Sequence, residues 1–190
     1  MAGRNPNEAF RNFITPIENA LRCVTQARLT TGKRPAFAVG PHYTVALNDM
    51  DPVALRGPTH MSLSAGQVVR IVQVDDPDNP RGPYKIQTVQ YFYDVLTSDG
   101  QEILSFHWTP EDSPPNRTFP HLHIGSVMLD ADAHPLSKRF SKAHIPTGRV
   151  SVEAVVRFII EECEVEPLRS SWREILAGSE DAFVQWRVRS

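Results

Sequence analysis

From Val68 to Leu129 the chain alternates strand-forming runs with turn residues, and this pattern limits the fold more than any other feature. Val68-Val69-Arg70-Ile71-Val72-Gln73-Val74 predicts one strand, stopped by the run from Asp75 to Gly82. Tyr84 to Leu96, rich in Tyr, Val and Phe, predicts a long second strand. Ser98-Asp99-Gly100 is a hairpin signal, followed by a third strand over Glu102 to Trp108 and a fourth over Pro120 to Leu129. Sequential strands with short connections predict an antiparallel meander. The polar, proline-rich stretch 109–119 reads as a surface loop.

Helical spacing flanks this region. Phe10, Phe13, Ile14, Ile17, Leu21 and Val24 form one apolar stripe, interrupted by Pro16. Thr15-Pro16-Ile17-Glu18 has the form of a capping box, which predicts a main helix near 16–28 with a short turn or helix before it. Val152, Val155, Val156, Ile159 and Ile160 predict an amphipathic helix capped by Ser151 or Thr147 and closed by Pro167. Trp172, Ile175, Leu176, Phe183 and Trp186 suggest one or two short helices split at Gly178. Residues 30–66 read as an irregular cover with short strands at Ala36–Val39 and Tyr43–Leu47. The expected class is α+β: an antiparallel sheet of at least four strands with an N-terminal helix and C-terminal helices. Residues 1–150 hold the sheet and the candidate site, and residues 151–190 pack helices on the same domain.

Composition narrows the setting. The 190 residues are 41% hydrophobic and 22% charged with a net charge of -2, so a polyanionic partner must meet a local basic patch. Cys23 and Cys163 both sit in helical patterns and make neither a disulfide framework nor a four-ligand zinc site. The opening MAGRNPNEAF lacks an apolar signal core, and no run approaches the roughly 18 apolar residues of a membrane span. A cytoplasmic protein without membrane partners is expected.

The chemistry-bearing stretch is Phe119-Pro120-His121-Leu122-His123-Ile124-Gly125. Side chains two apart on a strand share a face, so His121 and His123 should point one way, with Leu122 and Ile124 turned into the core. Such a pair is either a plain solvated face, or an acid and base for phosphodiester cleavage, or two ligands of one metal ion. Asp130, Asp132 and His134 are alternately spaced and could complete a mixed metal site, although Asp-Ala-Asp-Ala-His-Pro also reads as a polar turn. Lys138, Arg139, Lys142, His144 and Arg149 form a basic run whose Lys138, Arg139, Lys142 and Arg149 are candidate phosphate contacts. His107 would join the histidine pair if the third and fourth strands pair. Tyr91 and Tyr93 share a face and suit either base stacking or packing. The G-x-x-x-x-G-K-[ST] loop and the dinucleotide fingerprint are absent, and no cofactor is expected; Gly125 stands where a histidine-triad hydrolase carries its third histidine.

The order Tyr91-Phe92-Tyr93, a turn, Phe106-His107-Trp108, a polar spacer and Phe119-Pro120-His121-x-His123 resembles the TumE-like toxins of bacterial toxin–antitoxin modules over about a fifth of the chain. Members of that family tend to place adjacent histidines after the proline; here Leu122 separates them. The helix-then-sheet order is also similar to the wider RelE- and barnase-like ribonucleases. The resemblance implies a metal-independent endoribonuclease toxin with an RNA substrate and a protein antitoxin. His121 and His123 would be acid and base, with Arg139, Lys142 or Arg149 supporting phosphate. The residues alone leave open a metal-dependent hydrolase, and an interaction module anchored by Trp172, Phe183 and Trp186.

Overall fold

The expected meander is present, and it forms the middle of a larger sheet. In the computed structural model the described residues are 2–32, 36–75, 81–110, 118–129 and 136–185. Among them, strands β1 (Ala2–Gly3), β2 (Leu29–Thr31), β3 (His42–Leu47), β4 (Val53–Ala54), β5 (Ser62–Gln73), β6 (Tyr84–Leu96), β7 (Glu102–Trp108), β8 (His121–Ile124) and β9 (Ile145–Pro146) make one sheet. Its order is β2-β3-β5-β6-β7-β8-β9, with every ladder antiparallel. β1 continues the β7 edge of β6 beyond the end of β7, and β4 continues the β3 edge of β5. Helices α1 (Pro6–Leu21), α2 (Ser137–Phe140), α3 (Val152–Glu161) and α4 (Trp172–Gln185) complete an α+β architecture. No helix among the described residues is long and apolar enough to cross a membrane.

Several expected boundaries differ, each for a physical reason. α1 runs from Pro6 rather than from Pro16, because Asn5 caps it by accepting from Glu8 N–H and Pro6 suits the first turn. Pro16 costs one backbone hydrogen bond. The continuous stripe of Phe10, Ile17 and Leu21 buries on both sides of it and holds the helix together. Thr15 is therefore no cap: its hydroxyl donates to Arg11 O inside the helix. β8 ends at Ile124, and Ser126–Met128 form a 3-10 turn instead of more strand. β5 begins at Ser62, ahead of the expected Val68, and Ala36–Val39 contribute only an isolated bridge from Val39 to Ile71. α4 continues through Gly178 as a single helix. Ser151 does cap α3, accepting from Ala154 N–H.

A bulge sets which face of β6 meets the helices. Its ladder with β5 slips between Val68 and Val69, where Val68 faces Gln90 and Val69 faces Thr88. The extra residue, Val89, brings Ile86 and Tyr91 to one face although their spacing is odd. That face carries the core, where α1, α3 and α4 cover Leu63, Ala65, Tyr93, Val95 and Trp108 through Ile17, Leu21, Val156, Ile159 and Leu176. Tyr91 and Tyr93 stack at 5.0 Å inside this core, and each hydroxyl is used: Val150 N–H donates to Tyr91, and the Gln67 amide donates to Tyr93. They pack and do not offer a surface for bases. Trp172 is buried there too, which removes it as an exposed anchor. The Phe183 side chain and Trp186 lie outside the described residues.

Glu153 is buried in the first turn of α3. Desolvation raises its carboxyl above the ordinary value, Glu180 adds to the rise, and its own backbone N–H and the Ser151 hydroxyl oppose it. The folded chain thus holds this proton more tightly than the unfolded chain. Stability from this group is intact below the unfolded value and declines as pH climbs through the raised one. Glu153→Gln keeps the Ser151 contact without the charge. It should melt at a higher temperature than the parent at pH near 7, with the gap closing by about pH 4. Thermal unfolding at both pH values checks this, and equal melting at neutral pH would contradict it.

Candidate metal and acid–base centre

The face of the sheet opposite the helices is built by register. Ser64, Asp94, Ser105 and His123 form one cross-strand row, and Gly66, Phe92, His107, His121 and Pro146 form the next. Gly66 leaves room for its neighbour: a Cβ there would sit 2.4 Å from the Phe92 ring, which lies over the glycine. The Ser64 hydroxyl donates to Met50 O, closing the β5 end of this face. The far end is the edge strand β9, and His144 immediately precedes it.

His107, His121 and His123 converge as the pairing of β7 with β8 demands. Their ring centres are 5.0 Å apart for His121 and His123, 5.3 Å for His107 and His123, and 6.1 Å for His107 and His121. One ligand nitrogen from each lies within 4.8 Å of the others. A tetrahedral site with metal–nitrogen bonds of about 2.0–2.1 Å spaces its ligand atoms by about 3.4 Å, so rotation about side-chain bonds covers the difference.

His121 and His107 have ring orientations defined by partners. His121 Nδ1 lies 2.9 Å from Phe119 O, which can only accept, so Nδ1 carries the proton and Nε2 keeps its lone pair. His107 Nε2 lies 3.0 Å from Asp94 Oδ1 and 2.8 Å from Ser105 Oγ, while the Ser105 hydroxyl donates to the same carboxylate oxygen. Protonation at Nε2 satisfies all three contacts and leaves Nδ1 as the basic nitrogen. A histidine whose second nitrogen is held by a carboxylate or a carbonyl is what both a metal ligand and an oriented base require. His121 is only 5% exposed, whereas His107 and Asp94 are partly open to solvent.

The expected partition of β8 holds in part. His121 and His123 do share a face. Leu122 and Ile124 are only half-buried, because helices cover the central strands and reach β8 less fully.

The other sequence candidates lie on the opposite face, on the exposed segment around α2, or outside the described residues. Arg149 lies over the Trp108 ring at 3.9 Å from its centre, and Trp108 belongs to the helix-side core, so that cation is on the opposite face from His107. Arg139 and Lys142 are exposed on and just after α2, and Lys138 lies in α2 with its side chain outside the described residues. Asp130, Asp132 and His134 also lie outside the described residues. Three contributors went unread as site residues. Asp94 lies between the buried Tyr93 and Val95 on β6, and Ser105 is itself buried between the half-buried Leu104 and Phe106 on β7. His144 has its ring 4.5 Å from that of His123 and 4.8 Å from that of His121. The alternation of Asp94 with Tyr93 and Val95 was the available signal for the first.

No protein-family model matches the chain, and comparison with curated proteins and with solved structures finds no significant match.

Proposed function

We propose that this protein is a divalent-metal-dependent hydrolase of phosphodiester bonds, with His107, His121 and His123 as ligands. The observation that carries the proposal is the convergence of three imidazoles on one sheet face, two of them with their tautomers set by Asp94 and by Phe119 O. An all-imidazole set selects zinc, copper, nickel or cobalt over magnesium, calcium or manganese. Three protein ligands leave a position for water, whose pKa a zinc-class ion lowers to about 7. An ion held by these three histidines would supply hydroxide as the nucleophile toward phosphorus, and the leaving oxygen would take its proton from solvent. The exposed Arg139 and Lys142, entering the segment that carries His144, suit a polyanion such as RNA.

The test is metal analysis of chelator-free protein together with an RNA-cleavage assay. About one equivalent of a zinc-class ion, cleavage abolished by EDTA and cleavage restored by added zinc are expected. Absence of metal uptake, or full cleavage in EDTA, would refute it. The second outcome would favour a metal-independent ribonuclease in which His121 and His123 are acid and base, for which the Asp94–His107 pair is the specific support. In that reading the likeness to TumE-like toxins extends to function: an RNA-cleaving toxin acting in the cytoplasm, restrained by a protein antitoxin.

A further inference from the structure

His107, His121 and His123 stand on paired strands, but a fourth imidazole reaches the same cluster from the sheet edge. The β8–β9 ladder pairs His121 with Pro146 and Leu122 with Ile145, so the next position, His144, comes level with His123. Its ring lies 4.5 Å from that of His123 and 4.8 Å from that of His121, on the side away from His107. It stands outside the three-nitrogen group, so it needs a further shift to share an ion. The segment that carries it is built to allow one. β9 is two residues long, the last strand of the sheet, and its Pro146 has no N–H to donate. Thr147 N–H donates to Pro120 O and anchors the segment on its C-terminal side, leaving His144 just ahead of the paired residues.

We propose that His144 is the fourth, exchangeable ligand of the metal centre, binding at rest and yielding its place to water or a phosphate oxygen. The inference rests on the proposed three-histidine centre and adds its resting coordination. The three strand-borne histidines hold the ion, since their backbones are fixed by neighbouring ladders on β7 and β8. His144 closes the tetrahedron, and its release opens the site, because a closed shell of four protein ligands has no position for a substrate.

Cobalt(II) as a spectroscopic probe, with zinc competition, tests this on the full chain. Wild-type protein should bind one equivalent of cobalt with the intense visible absorption of a tetrahedral site. His144→Ala and His144→Asn should still bind one equivalent. Their bands should be weaker, as for a higher-coordinate ion carrying water, and their zinc affinity lower by about 10–100-fold. Inorganic phosphate should move the wild-type spectrum toward that of the variants. Thermal unfolding of the metal-free proteins should coincide, which separates ligand loss from misfolding. Unchanged spectra and affinity in both variants would overturn the role of His144 while leaving the three-histidine centre intact. Failure of the wild-type protein to bind cobalt or zinc would overturn both.

Discussion

His121→Ala is expected to remove stoichiometric zinc binding and, with it, RNA cleavage. His121 is the most buried ligand of the cluster, whereas His107 and His123 are half-buried. Its Nδ1–H is held by Phe119 O, so Nε2 is already aimed by the fold. Outer-shell partners of ligands cost about 10–100-fold in affinity when removed, a range that the exchangeable His144 should share, and deletion of one of the three strand-borne ligands should exceed it. Asp94→Asn provides the calibrated contrast. It keeps the shape beside His107 but replaces an acceptor oxygen that serves both His107 and Ser105, so a loss of about 10–100-fold is expected. Both variants are read by competition with a chromophoric chelator. Because His121 is buried, unfolding of the metal-free variant is measured alongside, and His121→Asn serves as the less disruptive replacement. Retention of wild-type zinc affinity in His121→Ala would remove the metal centre from consideration.

The second large effect is at Gly125. A Cβ there would lie 1.6 Å from Glu102 O and 2.4 Å from Glu102 C, both backbone atoms of β7 that cannot rotate aside. The Gly125 N–H donates to Ile103 O at 2.9 Å, so the close approach is also what closes the β7–β8 ladder. Gly125→Ala must separate the two strands. A cost of about 3–5 kcal/mol is expected, at the upper end for single substitutions, with urea denaturation as the measurement. The separation also pulls His121 and His123 away from His107, so zinc affinity should fall although no ligand is touched. A stability change below about 1 kcal/mol would show that the strand end is free to shift and that this glycine does not set the register. The position where a histidine-triad enzyme carries imidazole is occupied here by the one residue that the strand pairing can admit.

The long elements were legible and the short ones were not. Both ends of β6 and of β7 follow from their composition and from Ser98-Asp99-Gly100. The first five residues of β5 are Ser-Leu-Ser-Ala-Gly, weak in strand preference, and they form strand because β6 pairs with them on one edge and β4 and β3 on the other. β1, β4 and β9 have two residues each, too few for any period to register. Pro16 looked like a helix start because local chemistry favours it there, and burial along the whole apolar stripe outweighed that preference.

By itself the sequence determined the α+β class, the central meander and the common face of His121 and His123, because period-two alternation and turn chemistry act over a few neighbouring residues. Only the tertiary structure decided what that face meets. The slip at Val89 and the close approach at Gly125 are properties of strand pairs, invisible in either strand alone. The β6–β7, β7–β8 and β8–β9 registers bring Asp94, Ser105, His107 and His144 to the histidine pair, while Arg149, past β9, lies over Trp108 on the other side of the sheet. A one-residue change in one of these registers would have turned the paired side chains to the opposite face, which is why the pair was readable in sequence and its partners were not.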